Sequence, residues 1–319
     1  MTAGASNFSQ VTPNFPTAWD STMLGTFKEC PAKFYYQHIL GFQPPGSNIH
    51  LHFGQLFHKG KEHYYHFRAE GLDHQSALNE MVEKMLEESG TRDATGAFQP
   101  WSTADHPDAN IKNRQTLIRS LVWTCEDERN LPFTTYILAN GKPAVELSFR
   151  FQPFEVGGEP VTFCGHLDRL VTTPDDRTWV QDHKTTKQAL SATYFRQFSP
   201  HNQFSLYTIA GKVVLDAPCQ GVLVSGVQIG VNFTRSALHQ VPRPEAVLTE
   251  WLHDAKLYIE AAYTYARANH WPMNDKSCGN YGGCPFQRVC AVSPSHRPQW
   301  LTADFTTFDW NPLVIRGDI

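Results

Sequence analysis

The chain has 319 residues, 41% of them hydrophobic, with 27 Lys and Arg against 31 Asp and Glu and a formal net charge of −4. That length leaves room for one large domain or two small ones around a full apolar core. The slightly acidic balance argues against tight, non-specific nucleic-acid binding by bulk charge, although a local basic groove is compatible with it, and no apolar run is long enough to span a bilayer.

The N-terminal stretch from Met1 to Ser21 is polar, carries Pro13 and Pro16, and lacks the charged start and apolar centre of a signal peptide. Residues 1–20 therefore read as a loose arm of a cytoplasmic protein. Trp19 to Leu40 reads as helical, with a break near Cys30-Pro31, since proline suits the first turn of a new helix. Gly41 and Pro44-Pro45-Gly46 end it. His50 to Glu70, rich in His and aromatics, reads as a second helix closed by Gly71. Asp73 caps a third, from His74 to Glu88. Ser89 to Asp108 is a polar loop and Ala109 to Asn130 a fourth helix.

The pattern then changes. Lys142 to Phe154, Val161 to Val171 and Trp179 to Lys184 alternate or run apolar between turn signals, which predicts three consecutive strands. Ser199 to Lys212 reads as a helix, Gly221 to Val231 as a fourth strand and Pro244 to Asn269 as a long helix. A cysteine-rich segment follows, and the tail from Ser293 shows no periodicity and is expected to be irregular coil. Helices, an antiparallel meander, a helix, a strand and a helix make a mixed α/β layout, a central mixed sheet flanked by helices. The expected organisation is one domain over 21–292 and a tail over 293–319. The domain has a helical front at 21–130, a core at 142–231, and the long helix and cysteines at 244–290. There is no G-x-x-x-x-G-K-[ST] motif for an ATP motor, Gly221, Gly226 and Gly230 do not make a dinucleotide fingerprint, and no Gly-x-Ser-x-Gly elbow occurs.

Two short runs carry the chemistry: Gly165-His-Leu-Asp168 and Asp182-His-Lys184. Between them, Thr173-Pro-Asp-Asp-Arg177 has the length and residues of a hairpin loop. Side chains two apart on a strand share a face, so Asp182 and Lys184 point one way and His183 the other. Pairing the two strands brings Asp168 beside Asp182. Carboxylates that close repel, and a hard divalent cation removes the repulsion. A lysine beside them can orient an attacking water, the apparatus of metal-assisted phosphodiester hydrolysis.

This set resembles the PD-(D/E)XK nuclease superfamily, and four further features are similar to its RecB-type members. Gly54-Gln-Leu-Phe-His58 resembles the Gly-x-x-x-His helix that donates a metal ligand ahead of the catalytic strands. On a helix His58 shares a face with Gly54, whose small size would let that face approach another element closely. Glu146, in Ala144-Val-Glu-Leu-Ser-Phe, resembles the glutamate that opens the core. Gln203 and Tyr207, four apart on one helical face, resemble the Q-x-x-x-Y motif that contacts the DNA strand. Ser21-x-x-x-x-x-Phe27-x-x-Cys30-Pro-x-x-Phe34-Tyr-Tyr resembles the first motif of the iron–sulfur group, which includes the AddB nuclease domain and the CRISPR-associated Cas-four-type exonucleases.

The resemblance implies a restriction-endonuclease-like fold and a Mg²⁺- or Mn²⁺-dependent DNA exonuclease, with single strands preferred. Asp168, Asp182, His58 and the backbone carbonyl of His183 would bind the metal, with Glu146 assisting and Lys184 orienting water. Phe and Tyr residues of the first helix would stack on bases. Independently of the resemblance, Lys28, Lys33, Lys59, Lys61, Arg114, Arg119, Lys184, Lys187 and Arg196 are the candidates to line a local basic groove. Recombination, repair or CRISPR adaptation proteins are the implied partners, and relatives leave the oligomeric state open. A catalytically silent DNA adaptor on the same scaffold and an iron–sulfur redox protein are the competing readings.

Seven cysteines, an odd number in a chain read as cytoplasmic, argue against a disulfide framework. Cys125, Cys164 and Cys219 sit in apolar contexts and read as core thiols. Cys278, Cys284 and Cys290 need a fourth ligand to close a four-thiolate site, and the resemblance names Cys30. The implied group is a [4Fe–4S] cluster, with Zn²⁺ as the alternative, joining the helical front to the cysteine-rich end. The first two tail cysteines are further apart than is usual in that group.

Overall fold

The computed structural model of the protein describes residues 15–46, 48–102 and 106–313. The expected arm over 1–14 and the end of the tail over 314–319 lie outside them. In chain order, β1 (Ala18–Trp19) leads into α1 (Ser21–Glu29), whose N-terminus is capped by the Asp20 carboxylate accepting from the Met23 amide at 2.7 Å. Cys30 is extended and breaks the helix. Pro31 then opens α2 (Pro31–Phe34), which runs on as a π-helical turn over Tyr35–Ile39, followed by β2 (Phe42–Gln43). Asn48 caps α3 (Ile49–Ala69), Asp73 caps α4 (His74–Glu88), β3 (Gly90–Arg92) pairs with β4 (Phe98–Pro100), and Asn113 caps α5 (Arg114–Glu128). The strands β5 (Thr134–Thr135), β6 (Val145–Val156), β7 (Glu159–Thr172) and β8 (Thr178–Thr186) come next. They precede α6 (Ala192–Arg196), α7 (Asn202–Leu215), β9 (Gly221–Ile229) and β10 (Thr234–Pro242). The chain closes with α8 (Glu245–Ala268), α9 (Gln287–Ala291), α10 (Arg297–Asp304) and β11 (Thr306–Thr307).

The result is a mixed sheet flanked by helices, and the chain divides into two compact units. The first comprises residues 1–46, 149–165 and 245–315. Its core is aromatic: Trp19 stacks on Phe34 at 5.2 Å, and Phe27 meets Phe34 edge-on at 5.4 Å. Here β1 runs parallel to the first part of β7.

The second unit comprises, of the described residues, 48–148 and 166–244. β7 and β8 pair antiparallel with Arg169 opposite Gln181, β8 and β9 run parallel, and β9 and β10 form an antiparallel pair. Buried Phe53, Phe57, Met81, Leu117 and Leu121 weld α3, α4 and α5 together. Two glycines set the helix positions. A Cβ on Gly60 would stand 2.5 Å from Leu121 Cδ1, so α3 and α5 meet closely there. A Cβ on Gly211 would stand 2.9 Å from Cys219 Sγ and 3.2 Å from Val180 Cγ2, so α7 lies tight on β8. Gly54, the expected point of close approach, has nothing within 4 Å of its Cβ position.

Several local expectations change. The sequence pattern misses β10, whose Arg235, His239, Gln240 and Pro242 read as loop; an edge strand exposes one side and tolerates such residues. The expected polar loop over 89–108 contains the β3–β4 ribbon. The helix expected from Ala109 starts at Arg114, because Asn113 is its cap. The tail is not plain coil: α10 buries Leu301, and Phe305 stacks on Phe286 at 4.7 Å. With so few apolar anchors it has no readable period. Cys125, Cys164 and Cys219 are buried, as core thiols should be. Among the described residues no helix is long and apolar enough to cross a membrane.

Candidate active site

All the expected catalytic residues lie in the second unit. The β7–β8 register places Asp168 opposite Asp182, one step beyond the Arg169–Gln181 pair. Strand alternation turns Asp182 and Lys184 to the same face, where the ammonium lies 3.0 Å from Asp182 Oδ1 and 2.8 Å from Oδ2. Lys184 Nζ also donates to Gln203 Oε1 at 2.8 Å, and Gln203 Nε2 donates to the Tyr207 hydroxyl at 3.0 Å. A chain of polar contacts thus runs from β8 onto α7, Asp182 to Lys184 to Gln203 to Tyr207. The tight seat of α7 at Gly211 holds its far end.

A second group meets it from α3, β6 and β7. His58 Nδ1 lies 3.0 Å from Asp168 Oδ2, and the same oxygen accepts the backbone amide of His183 at 3.0 Å. His58, Glu146 and Asp168 each present a ligand atom within 4.8 Å of the other two. Glu146, the second residue of β6, has φ +49°, a left-handed conformation at the start of a strand. Such a backbone costs about 1–3 kcal/mol and persists where surrounding structure enforces it, often at functional sites.

The electrostatics suit a cation. Burial raises the Asp182 carboxyl above its ordinary range and Asp168 adds repulsion, more than Lys184 offsets. Burial also opposes ionisation of Asp168, but the adjacent His58 wins and holds that carboxyl well below its usual range. Burial would lower His58, yet Asp168 beside it pushes the imidazole up to about 9. Asp182 Oδ2 is buried, and the Lys184 ammonium lies 2.8 Å from it. Two neighbouring carboxylates driven apart in proton affinity and a His–Glu–Asp triplet fit a hard divalent ion.

The opposite face of β8 holds residues that sequence reasoning did not identify as a group. His183 is buried and its Nε2 lies 3.0 Å from the Tyr65 hydroxyl. That hydroxyl donates to Glu128 Oε2 at 2.6 Å, and Ser225 Oγ donates to Glu128 Oε1 at 2.9 Å. Lys61, 1% exposed, lies 2.7 Å from Glu128. Tyr65 has only one proton to give, so His183 Nε2 must be the donor in their contact. His183 is then the neutral Nε2–H tautomer, in agreement with burial pushing its pKa down to about 3 and with a bare, unpartnered Nδ1. The readable signal was the spacing of His58, Lys61 and Tyr65 on one face of α3.

Other expectations are corrected. Lys61 does not line a groove; it is paired and buried. Arg114 spends its guanidinium on Ser89 Oγ and the Leu86 carbonyl, and Arg119 on the Gly230 and Val231 carbonyls. Phe27, Phe34 and Tyr36 are core residues of the first unit, so these rings of the first helices cannot stack on bases.

In the first unit, Cys30, Cys284 and Cys290 border one small apolar cluster with Tyr36, Phe286 and Leu301. The Asn274 amide donates to Cys30 Sγ at 3.4 Å, and the Cys284 amide to the Cys278 carbonyl at 2.8 Å. Cys284 and Cys290 are both pushed up, first by burial and then by neighbouring sulfurs, Cys30 and Cys278 among them. The four thiols are therefore electrostatic neighbours. Sulfurs bound at about 2.3 Å to a single zinc ion stand about 3.8 Å apart. Among the described residues no three of these sulfurs come within 4.8 Å of one another.

Comparison with known proteins adds the following. The family model described as the PD-(D/E)XK nuclease superfamily matches residues 21–291. A solved structure from Eubacterium rectale, provisionally named an exonuclease, is similar over 88% of this chain and 91% of its own, at 9% identity and a TM-score of 0.47. Another, the protein SSO0001, is similar over 76% of this chain and 77% of its own, at 12% identity and a TM-score of 0.32. No curated protein matches the chain.

Proposed function

The chain belongs to the PD-(D/E)XK nuclease superfamily, and from that premise we propose that it is a Mg²⁺- or Mn²⁺-dependent exonuclease that hydrolyses DNA, with single strands preferred. The observation that carries this reading is the junction of two groups: His58, Glu146 and Asp168 on one side, Asp182 with Lys184 on the other. Asp168, Asp182 and His58 would hold the metal, with Glu146 beside them and the His183 backbone carbonyl completing the protein ligands. The imidazole among oxygen donors favours tolerance of Mn²⁺. When bound, the metal supplies charge stabilisation at the scissile phosphate and its leaving oxygen.

The chain's own groups do the rest. Asp182 and Gln203 clamp the Lys184 ammonium between them, which aims one of its three donors at the attacking water. Tyr207 fixes the Gln203 amide and thereby the lysine, and the two α7 side chains would position the strand. Recombination, repair and CRISPR adaptation would all use these residues.

The four thiols would hold a [4Fe–4S] cluster, with Zn²⁺ as the alternative. Its role would be structural, tying α2 to the cysteine-rich segment within the first unit. The experiment is cleavage of end-labelled single- and double-stranded DNA by anaerobically purified protein with Mn²⁺, Mg²⁺ or EDTA. Metal-dependent shortening that Asp182→Ala abolishes supports the nuclease, and the label position gives its polarity. No cleavage of any substrate by protein with intact iron and sulfide would sink it and favour the adaptor.

A further inference from the structure

Among the described residues, a buried cation behind the catalytic strands has no carboxylate paired with it. Arg169 follows Asp168 on β7 and is 7% exposed. Its Nε donates to Thr135 Oγ1 and its Nη1 to Gln181 Oε1, both at 2.9 Å, and its guanidinium lies 3.9 Å from the centre of the Tyr65 ring. All three partners are neutral. Among the described residues no carboxylate pairs with this guanidinium and no hydrogen bond reaches its Nη2. Folding around an uncompensated charge is costly, and the cost falls when an anion binds.

There is space for one. Arg169 lines a cavity of about 260 Å³ in the second unit, together with Arg68, Arg129, Thr134, Tyr65 and Glu128. The Glu128 charge is already taken by Lys61 at 2.7 Å. Among the described residues Arg68 donates to the Leu72 carbonyl and feels the exposed Asp73, and Arg129 shares the exposed Glu126 at 3.2 Å. The walls therefore carry an excess of positive charge held on planar guanidinium forks, the group best matched to phosphate oxygens. The volume sits just under the range of about 300–1,000 Å³ usual for small-molecule sites, too small for a polymer.

We propose that this cavity binds a phosphate monoester dianion, supplied as orthophosphate or as a nucleoside monophosphate. Tyr65 touches both Arg169 and His183, so the bound anion is sensed one side chain from the amide that holds Asp168. The site goes beyond the nuclease reading and does not depend on it, since binding is measured without turnover.

The test is calorimetric titration of the full chain with sodium phosphate and with 2′-deoxyadenosine 5′-monophosphate, in EDTA and at constant ionic strength. The wild type should bind at least one probe saturably. The double variant Arg68→Ala/Arg129→Ala, altered only at exposed positions, should bind at least tenfold more weakly while keeping its circular dichroism and unliganded melting temperature. Arg169→Gln should bind neither probe. Tighter binding of the nucleotide identifies a reaction product as the source, and equal binding identifies free phosphate; both support the site. Absence of saturable binding in the wild type overturns the proposal and leaves Arg169 as a packing residue. So does binding that persists in both variants, or that Lys184→Ala removes while the arginine variants retain it, which would place the anion in the catalytic site.

Discussion

The two faces of β8 use the same strand for different ends. On one face Asp182 and Lys184 form an open chain of charges that ends on α7, and the lysine is a quarter exposed. On the other, His183 enters a closed network with Tyr65, Glu128, Lys61 and Ser225, all buried except the half-buried Glu128. The open face holds two buried carboxylates that the Lys184 ammonium does not fully offset, and a further cation there gains free energy. The closed face satisfies nearly every polar atom and so fixes geometry. Chemistry and positioning are one residue apart along the strand and point in opposite directions.

If this division holds, the two faces respond differently to substitution. Asp182→Ala should lower kcat/KM for DNA cleavage by about 10³-fold or more, since it removes a metal ligand and the partner that orients the lysine. Its melting temperature should stay level or rise, because Asp168 loses a repulsive neighbour. Parallel kinetics and thermal melts check both; a large loss of stability would mean that Asp182 is structural. Lys61→Met should behave in the opposite sense. It strands Glu128 as a buried charge and should cost about 3–5 kcal/mol of stability, read by urea denaturation. Replacing both partners with apolar residues of similar volume should recover most of that loss.

Tyr65→Phe separates the faces more finely. The ring stays, so Arg169 keeps its stacking surface, but His183 loses its partner and Glu128 loses a donor. A stability loss of about 1–3 kcal/mol is expected. Metal half-saturation should also weaken by about 10–100-fold, the usual effect of losing a group that orients metal ligands from behind. If stability falls while half-saturation by Mn²⁺ is unchanged, the closed network supports the fold alone.

The open face was legible in the sequence because simple periodicities govern it. A period of two turns Asp182 and Lys184 to one side, a short loop pairs their strand with Asp168, and a spacing of four joins Gln203 to Tyr207. The closed face was hidden because its five residues come from α3, α5, β8 and β9, and a buried lysine looks like a solvated one in sequence. Lys61 was read as part of a groove for that reason. The close approach that lets it reach Glu128 depends on Gly60 rather than Gly54, and only the packing of α3 on α5 distinguishes the two glycines. The thiols fall between these cases. Their convergence was anticipated from motif resemblance, while their spacing could come only from coordinates.

A last contrast between the faces concerns pH. His58 has its pKa raised to about 9 by Asp168, against an ordinary value of 6.5. A group whose pKa is higher in the folded state than in the unfolded one contributes stability that is fully present below the unfolded value and is lost as pH rises through the folded value. In EDTA the melting temperature should therefore decline between about pH 6.5 and 9, and His58→Gln should flatten that decline. Metal binding should show the reverse trend, because an imidazole must shed its proton before it can ligate. Mn²⁺ should bind more tightly as pH rises over the same window, with one proton released per ion. A Mn²⁺ affinity independent of pH would place His58 outside the ligand set and leave it as a counterion of Asp168.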